Sequence, residues 1–166
     1  MVLELISILS NNGASMNFEG DVNFEDMEFS GVWYNFKNPF HIKGKVENIS
    51  GAVVLTASVS GSAETVCARC TKPVKAEFDF EFEEHISNSG ETEEDDDIIV
   101  IEGSTVDVAD LALNNFLVIA PMKYLCKPDC KGLCPRCGTD RNETDCGCED
   151  GVTDPRLSVL DELFKD

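Results

Sequence analysis

At 166 residues with 42% hydrophobic content, the chain suits one globular domain with its own core and leaves little room for a second. Acidic residues outnumber basic ones 32 to 13, a net charge of -19, and the excess persists without the acidic run at 91–97. Such a surplus disfavours extended direct contact with a phosphate backbone and suits a basic protein partner.

Residues 1–65 carry short runs of Val, Ile, Phe and Thr separated by Asn, Gly and Ser, which predicts strands. Phe40-His41-Ile42-Lys43-Gly44-Lys45-Val46 alternates cleanly, and residues 52–61 follow directly after Ser50-Gly51, so a hairpin or meander is expected. The Trp33-Tyr34-Asn35-Phe36 cluster reads as aromatic core packing. No Lys or Arg precedes Lys37, no small-residue cleavage site follows the first apolar residues, and no apolar run is long enough for a bilayer. A cytoplasmic protein without a secretory signal or membrane partner is expected. In that compartment cysteines serve more often as ligands or redox groups than as disulfides.

Cys67-Ala68-Arg69-Cys70 lies between two strand-like runs and offers half of a metal site, a dithiol, or two reduced thiols under a sheet. Thioredoxin-type chemistry would want this motif at a helix N-terminus, whereas Pro73 and the flanking β-formers predict a strand turn. Glu77-Phe78-Asp79-Phe80-Glu81-Phe82-Glu83 alternates strictly, placing three phenylalanines on one face and acids on the other. Residues 87–97 read as a solvated acidic loop without the spacing or central glycine of an EF-hand, and 98–101 as a short strand. A helix over 107–120 follows, with Asp107 as N-cap, Asp110 at its third position, apolar residues on nearly every face and Pro121 as its stop.

The densest chemistry comes next: Cys126-x3-Cys130-x3-Cys134-x2-Cys137-x8-Cys146-x-Cys148, with Gly132, Gly138 and Gly147 where a tight loop needs positive φ. Four thiolates suit one tetrahedral ion, and no histidine lies near the stretch, so structural zinc is expected, one ion or two, with an iron–sulfur cluster as the alternative. Cys134, Cys137, Cys146 and Cys148 form the preferred site. Cys126 and Cys130 either replace its last pair or meet Cys67 and Cys70 at a second ion, stapling the sheet to the C-terminal region. Lys123, Lys127, Lys131, Arg136 and Arg141 gather near the cluster. They either offset the negative charge of a four-thiolate zinc site or, with Arg69, touch RNA phosphates. Asp154-Pro155 then opens a short amphipathic helix carrying Leu157, Leu160, Leu163 and Phe164.

These elements predict an α+β fold: an antiparallel, β-rich or barrel-like scaffold with a buried helix, a cysteine-rich knuckle and a terminal helix. The expected divisions are a β-rich domain at 1–121, a zinc module at 122–150 and a tail at 151–166. No Ser/His/Asp constellation, phosphate loop or catalytic carboxylate pair emerges, so no small-molecule substrate and no enzyme is expected.

Cys67-Ala68-Arg69-Cys70, a helix ending in Pro121-Met122, the block Leu125-Cys126-Lys127-Pro128-Asp129-Cys130-Lys131-Gly132-Leu133-Cys134-Pro135-Arg136-Cys137-Gly138, and Asp154-Pro155-Arg156 before a Leu-rich helix resemble the YceD-like family. Its members are the large ribosomal RNA subunit accumulation proteins of bacteria and plastids. The resemblance runs from Cys67 to the C-terminus; the first part is compatible but unspecific. It implies a non-catalytic cytoplasmic factor needed for 23S ribosomal RNA to be processed or to accumulate, with a ribosomal precursor particle or a basic ribosomal protein as partner. It further implies that the full cysteine set belongs to one branch, as a brace separate from the shared function. The chain departs from the family at Leu113-Asn114, where an Arg-Glu pair is expected. The competing readings are a thiol redox protein using Cys67 and Cys70, and a zinc-dependent RNA-binding module using Lys127, Lys131 and Arg136.

Overall fold

A computed structural model describes residues 1–88, 98–101 and 103–148. The expected terminal helix and the acidic run 91–97 lie outside the described residues, as does the tail division at 151–166.

In chain order the elements are β1 (Val2–Glu4), α1 (Ile6–Ser10), β2 (Ser15–Val22), β3 (Met27–Phe29), β4 (Val32–Tyr34), β5 (Phe40–Ile49), β6 (Ala52–Val66), β7 (Pro73–Ser87), β8 (Ile98–Val100), β9 (Thr105–Asp107) and α2 (Val108–Ile119). The fold is mostly sheet with little helix. Strands β2-β5-β6-β7-β8 form one curled, half-barrel sheet, with β1-β9 and β3-β4 as small two-stranded pairs. Every pairing is antiparallel except β7 with β8. The short helix α1 departs from the strands expected in residues 1–65. Leu5 and Ile8 are buried there, and Ser10 and Asn11 turn back to bond the carbonyls of Ile6 and Ser7, competing with further helix.

The hairpin expected at Ser50-Gly51 is present. Both residues have positive φ, 56° and 97°, and Ile49 pairs with Ala52, the two-residue turn whose twist matches its strands. Ser30-Gly31 makes the same turn between β3 and β4, with φ of 52° and 77°. Strand β7 alternates as read: Phe78 and Phe82 are buried and Phe80 half-buried, while Glu77, Asp79, Glu81 and Glu83 face solvent.

The core sits between the sheet and α2. Asp107 caps the helix, its carboxylate accepting from the Ala109 amide at 2.9 Å, and Ala120 ends it before Pro121. Phe116 has no exposed surface and packs its ring near those of Phe78, Tyr34, Phe36 and Phe40, at centroid separations of 4.8, 5.3, 5.8 and 6.4 Å. Gly61 exists to admit one of these rings, since a Cβ there would stand 2.5 Å from Phe40.

Two expectations are met only in part. Helix α2 lies against the sheet as expected, with Val108, Leu111, Ala112 and Phe116 buried, but Val118 is 84% exposed. The helix packs by one stripe against the sheet, and its far side remains in solvent. The aromatic cluster also splits, because alternation along β4 sends Tyr34 inward and leaves Trp33 52% exposed.

Candidate metal centres

The long β6-β7 hairpin is paired from Val53 opposite Ile86 to Val66 opposite Pro73, and its tip carries Cys67 and Cys70. At the tip, the Cys67 amide donates to the Lys72 carbonyl at 2.8 Å, and the Thr71 amide donates to the Cys67 carbonyl at 2.9 Å. Thr71 has φ of 59°. The same turn recurs at the second Cys-x2-Cys. The Cys134 amide donates to the Thr139 carbonyl at 2.8 Å, and the Gly138 amide to the Cys134 carbonyl at 2.9 Å, with Gly138 at φ 75°. Each knuckle is flanked by a paired position, Val66 with Pro73 and Leu133 with Asp140. Cys-Ala-Arg-Cys-Thr-Lys and Cys-Pro-Arg-Cys-Gly-Thr are therefore one structural unit used twice. The expectation of a strand turn at Cys67 holds, and neither Cys-x2-Cys stands at a helix N-terminus.

The stretch after α2 brings two further cysteines to the hairpin tip. The Tyr34 hydroxyl donates to the Pro121 carbonyl at 3.2 Å, and Tyr124 lies edge-on to the Tyr34 ring. From there the chain runs beside the tip: the Ala68 amide donates to the Tyr124 carbonyl, the Leu133 amide to the Arg69 carbonyl, and the Arg69 guanidinium to the Cys130 carbonyl at 2.7 Å. The result is a first site of Cys67, Cys70, Cys126 and Cys130. A second holds Cys134, Cys137, Cys146 and Cys148. Within each site all four sulfurs lie within 4.8 Å of one another.

All eight cysteines are free. The Sγ atoms of Cys67 and Cys130 are 3.8 Å apart, and those of Cys70 and Cys126 are 3.5 Å apart. Four thiolates around one zinc ion at about 2.3 Å stand about 3.8 Å from each other, so the donor sets fit a single tetrahedral ion. The choice left open by spacing is thus resolved in favour of two separate sets, with Cys126 and Cys130 reaching across the fold.

The sites differ in exposure. Cys67, Cys70 and Cys130 are buried and Cys126 exposed, whereas in the second site only Cys134 is buried. Burial acts most strongly on Cys67 and opposes ionisation, yet the backbone amides of Cys126, Arg69 and Cys70 bring its thiol down to about 6. The amides of Cys137 and Arg136 bring Cys134 to about 6 as well. In contrast, the Cys70 sulfur and then burial push Cys126 up to about 12, and the sulfurs of Cys137 and Cys146 push Cys148 up to about 12. Cys130 and Cys137 are also lowered and Cys70 raised, so each set mixes thiols that ionise readily with thiols that their neighbours oppose, a conflict that a divalent cation would remove. Four protein ligands leave no open position on such an ion, so the chemistry offered is structural.

Of the side chains behind the sulfurs, sequence reasoning singled out Arg141 and missed Asn142 and Thr139. Asn142 donates to the Cys130 sulfur at 3.3 Å, Thr139 meets Cys137 Sγ at 3.2 Å, and Arg141 reaches Cys134 Sγ at 3.8 Å. Lys72 pairs with Asp140 at 2.8 Å and Glu143 at 2.7 Å, tying the hairpin tip to the second knuckle. Of the basic residues singled out, Lys127, Lys131 and Arg136 are exposed, and Arg69 is spent on Cys130. Leu113 is half-buried and Asn114 exposed on α2. Among the described residues no helix is long and apolar enough to cross a membrane.

The model of the family described as large ribosomal RNA subunit accumulation protein YceD matches residues 55–164, from within β6 onward, a span containing all eight cysteines. The chain belongs to the YceD family. Relatives of this YceD-family chain include uncharacterized protein Rv2926c of Mycobacterium tuberculosis, 30% identical over 72% of the chain and 59% of that protein. Uncharacterized protein YlbN of Bacillus subtilis is 28% identical over 77% of the chain and 76% of its own length. The chain thus spans less than two thirds of the mycobacterial relatives it matches. No solved structure matches.

Proposed function

We propose that this YceD-family chain is a non-catalytic, cytoplasmic factor that supports 23S ribosomal RNA processing and accumulation and the assembly of the large ribosomal subunit. The observation that carries this reading is the family match over residues 55–164, which spans the hairpin tip, α2 and both cysteine sites. Two closed four-thiolate sites support a non-catalytic role, because neither leaves a position for substrate or water. The redox reading is less well supported, since Cys67 and Cys70 are both buried and sit at a strand turn.

The resident metal in this proposal is zinc. All four sulfurs of a set are close enough to share one ion, whereas cluster ligands bind different irons and stand farther apart. The partner is a basic ribosomal protein, or a precursor particle carrying one. The net charge of -19 and the exposed acidic row Glu77, Asp79, Glu81 and Glu83 on β7 favour such a partner over naked RNA. Depletion in the native host tests the function: large-subunit rRNA should fall relative to small-subunit rRNA, and tagged protein should co-sediment with large-subunit precursors. Unchanged rRNA together with no co-sedimentation overturns the proposal.

A further inference from the structure

Asn142 lies between two ligands of the second site, Cys137 and Cys146, yet its side chain serves the first. Its amide nitrogen donates to the Cys130 sulfur at 3.3 Å and to Asp140 Oδ1 at 2.7 Å, and its carbonyl oxygen accepts from the Lys131 amide at 2.9 Å. The amide group is therefore oriented from both ends, and its N–H has a fixed direction onto the thiolate. The same loop is clasped by its backbone, with the Arg141 amide donating to the Gly132 carbonyl at 2.9 Å, and by Lys72 on Asp140 and Glu143.

We propose that Asn142 is a positioning residue that couples the two cysteine sites, so that an ion in the second site tightens the first site's hold on its own ion. This rests on the reading of both sets as metal sites. The physical basis is loop closure. An ion bridging Cys137 and Cys146 closes the segment between them and removes the entropy that would otherwise oppose holding Asn142 against Cys130. A hydrogen bond to a ligand sulfur orients the ligand and spreads its charge, and loss of such a partner typically weakens metal binding about 10- to 100-fold. Linkage makes the effect mutual: the first ion must tighten the second by the same factor.

Cobalt(II) titration of the full chain tests this, because thiolate-to-cobalt charge-transfer bands report each site without any assay of function. The chain with Cys146→Ser and Cys148→Ser carries only the first site, and the chain with Cys67→Ser and Cys70→Ser only the second. The first site should bind cobalt about tenfold or more weakly when the second is disabled. Asn142→Ala in the otherwise intact chain should reproduce that weakening and shift the first site's charge-transfer band, while Asn142→Ala in the second-site-only chain leaves affinity unchanged. Asn142→Gln, which keeps the amide but misplaces it, should behave as Asn142→Ala. Equal first-site affinity with and without the second site, or an unshifted band in Asn142→Ala, overturns the coupling. Failure of the isolated sets to bind cobalt at all overturns the metal reading itself, so the two failures are distinguishable.

Discussion

Gly132 marks the closest approach of the hairpin tip to the cysteine-rich stretch. It has φ of 75°, and a Cβ there would stand 2.9 Å from the Arg69 carbonyl oxygen, a backbone atom that cannot swing away. Gly132→Ala should therefore add a steric cost to the roughly 1–2 kcal/mol of a left-handed alanine. Gly51→Ala, at φ 97° with open space around it, carries only the backbone part. Denaturant unfolding should show the larger loss for Gly132→Ala; equal losses would mean the tip and knuckle do not press together. His41 offers a test on the outer face of the sheet. Its Nδ1 lies 2.9 Å from Asp21 and its Nε2 3.2 Å from Glu19, and the hydrogen bond to Asp21 is the main cause that raises its pKa above 6.5. A raised value means the pairing stabilises the fold below the ordinary histidine range and is lost as pH rises through the folded pKa. The His41 ring proton resonances should titrate above 6.5 in the folded chain and move downward in Asp21→Asn.

The elements divide by how local their causes are. The Ser50-Gly51 hairpin, the alternation of β7 and the Asp107 cap were legible in sequence because each depends on residues within one turn or one strand. The Cys-x2-Cys knuckles were legible for the same reason. The assignment of Cys126 and Cys130 was not, because their partners lie 56 and 63 residues away, and spacing within the stretch says nothing about what the β6-β7 tip brings alongside. Asn142 was invisible on the same ground: its role follows from where a loop is folded back, and an Asn two residues after an Asp reads as ordinary turn chemistry. Composition also misled for α2, since an apolar residue such as Val118 does not reveal that a single layer covers only one side of the helix. What that layer needs from the helix is Phe116. Phe116→Ala should cost about 3–5 kcal/mol, as expected for a large buried aromatic, with the loss read from the denaturation midpoint at unchanged slope. Val118→Ser, on the exposed side, should leave stability within about 0.5 kcal/mol.

At the scale of the molecule, the two cysteine sets do different mechanical jobs. The first brings residues from the tip of the long hairpin against residues beyond α2, so an ion held there would cross-link the sheet to the C-terminal stretch. The second closes a local loop and, through Lys72, Asp140 and Glu143, leans on the first. Metal removal should therefore free the stretch after α2 while the sheet and its aromatic core persist. Amide hydrogen exchange after chelation should show lost protection at Cys67, Leu133 and Cys134 but retained protection along the β5, β6 and β7 pairing; uniform loss would mean the domain has no metal-independent core. If the eight cysteines divide into two four-thiolate sites, each holding one ion, native mass spectrometry of the full chain, purified without added metal, should find two zinc ions on the wild-type chain and one on the Cys67→Ser/Cys70→Ser variant. A wild-type chain carrying no metal or a single ion, or a variant that still holds two, would contradict that division.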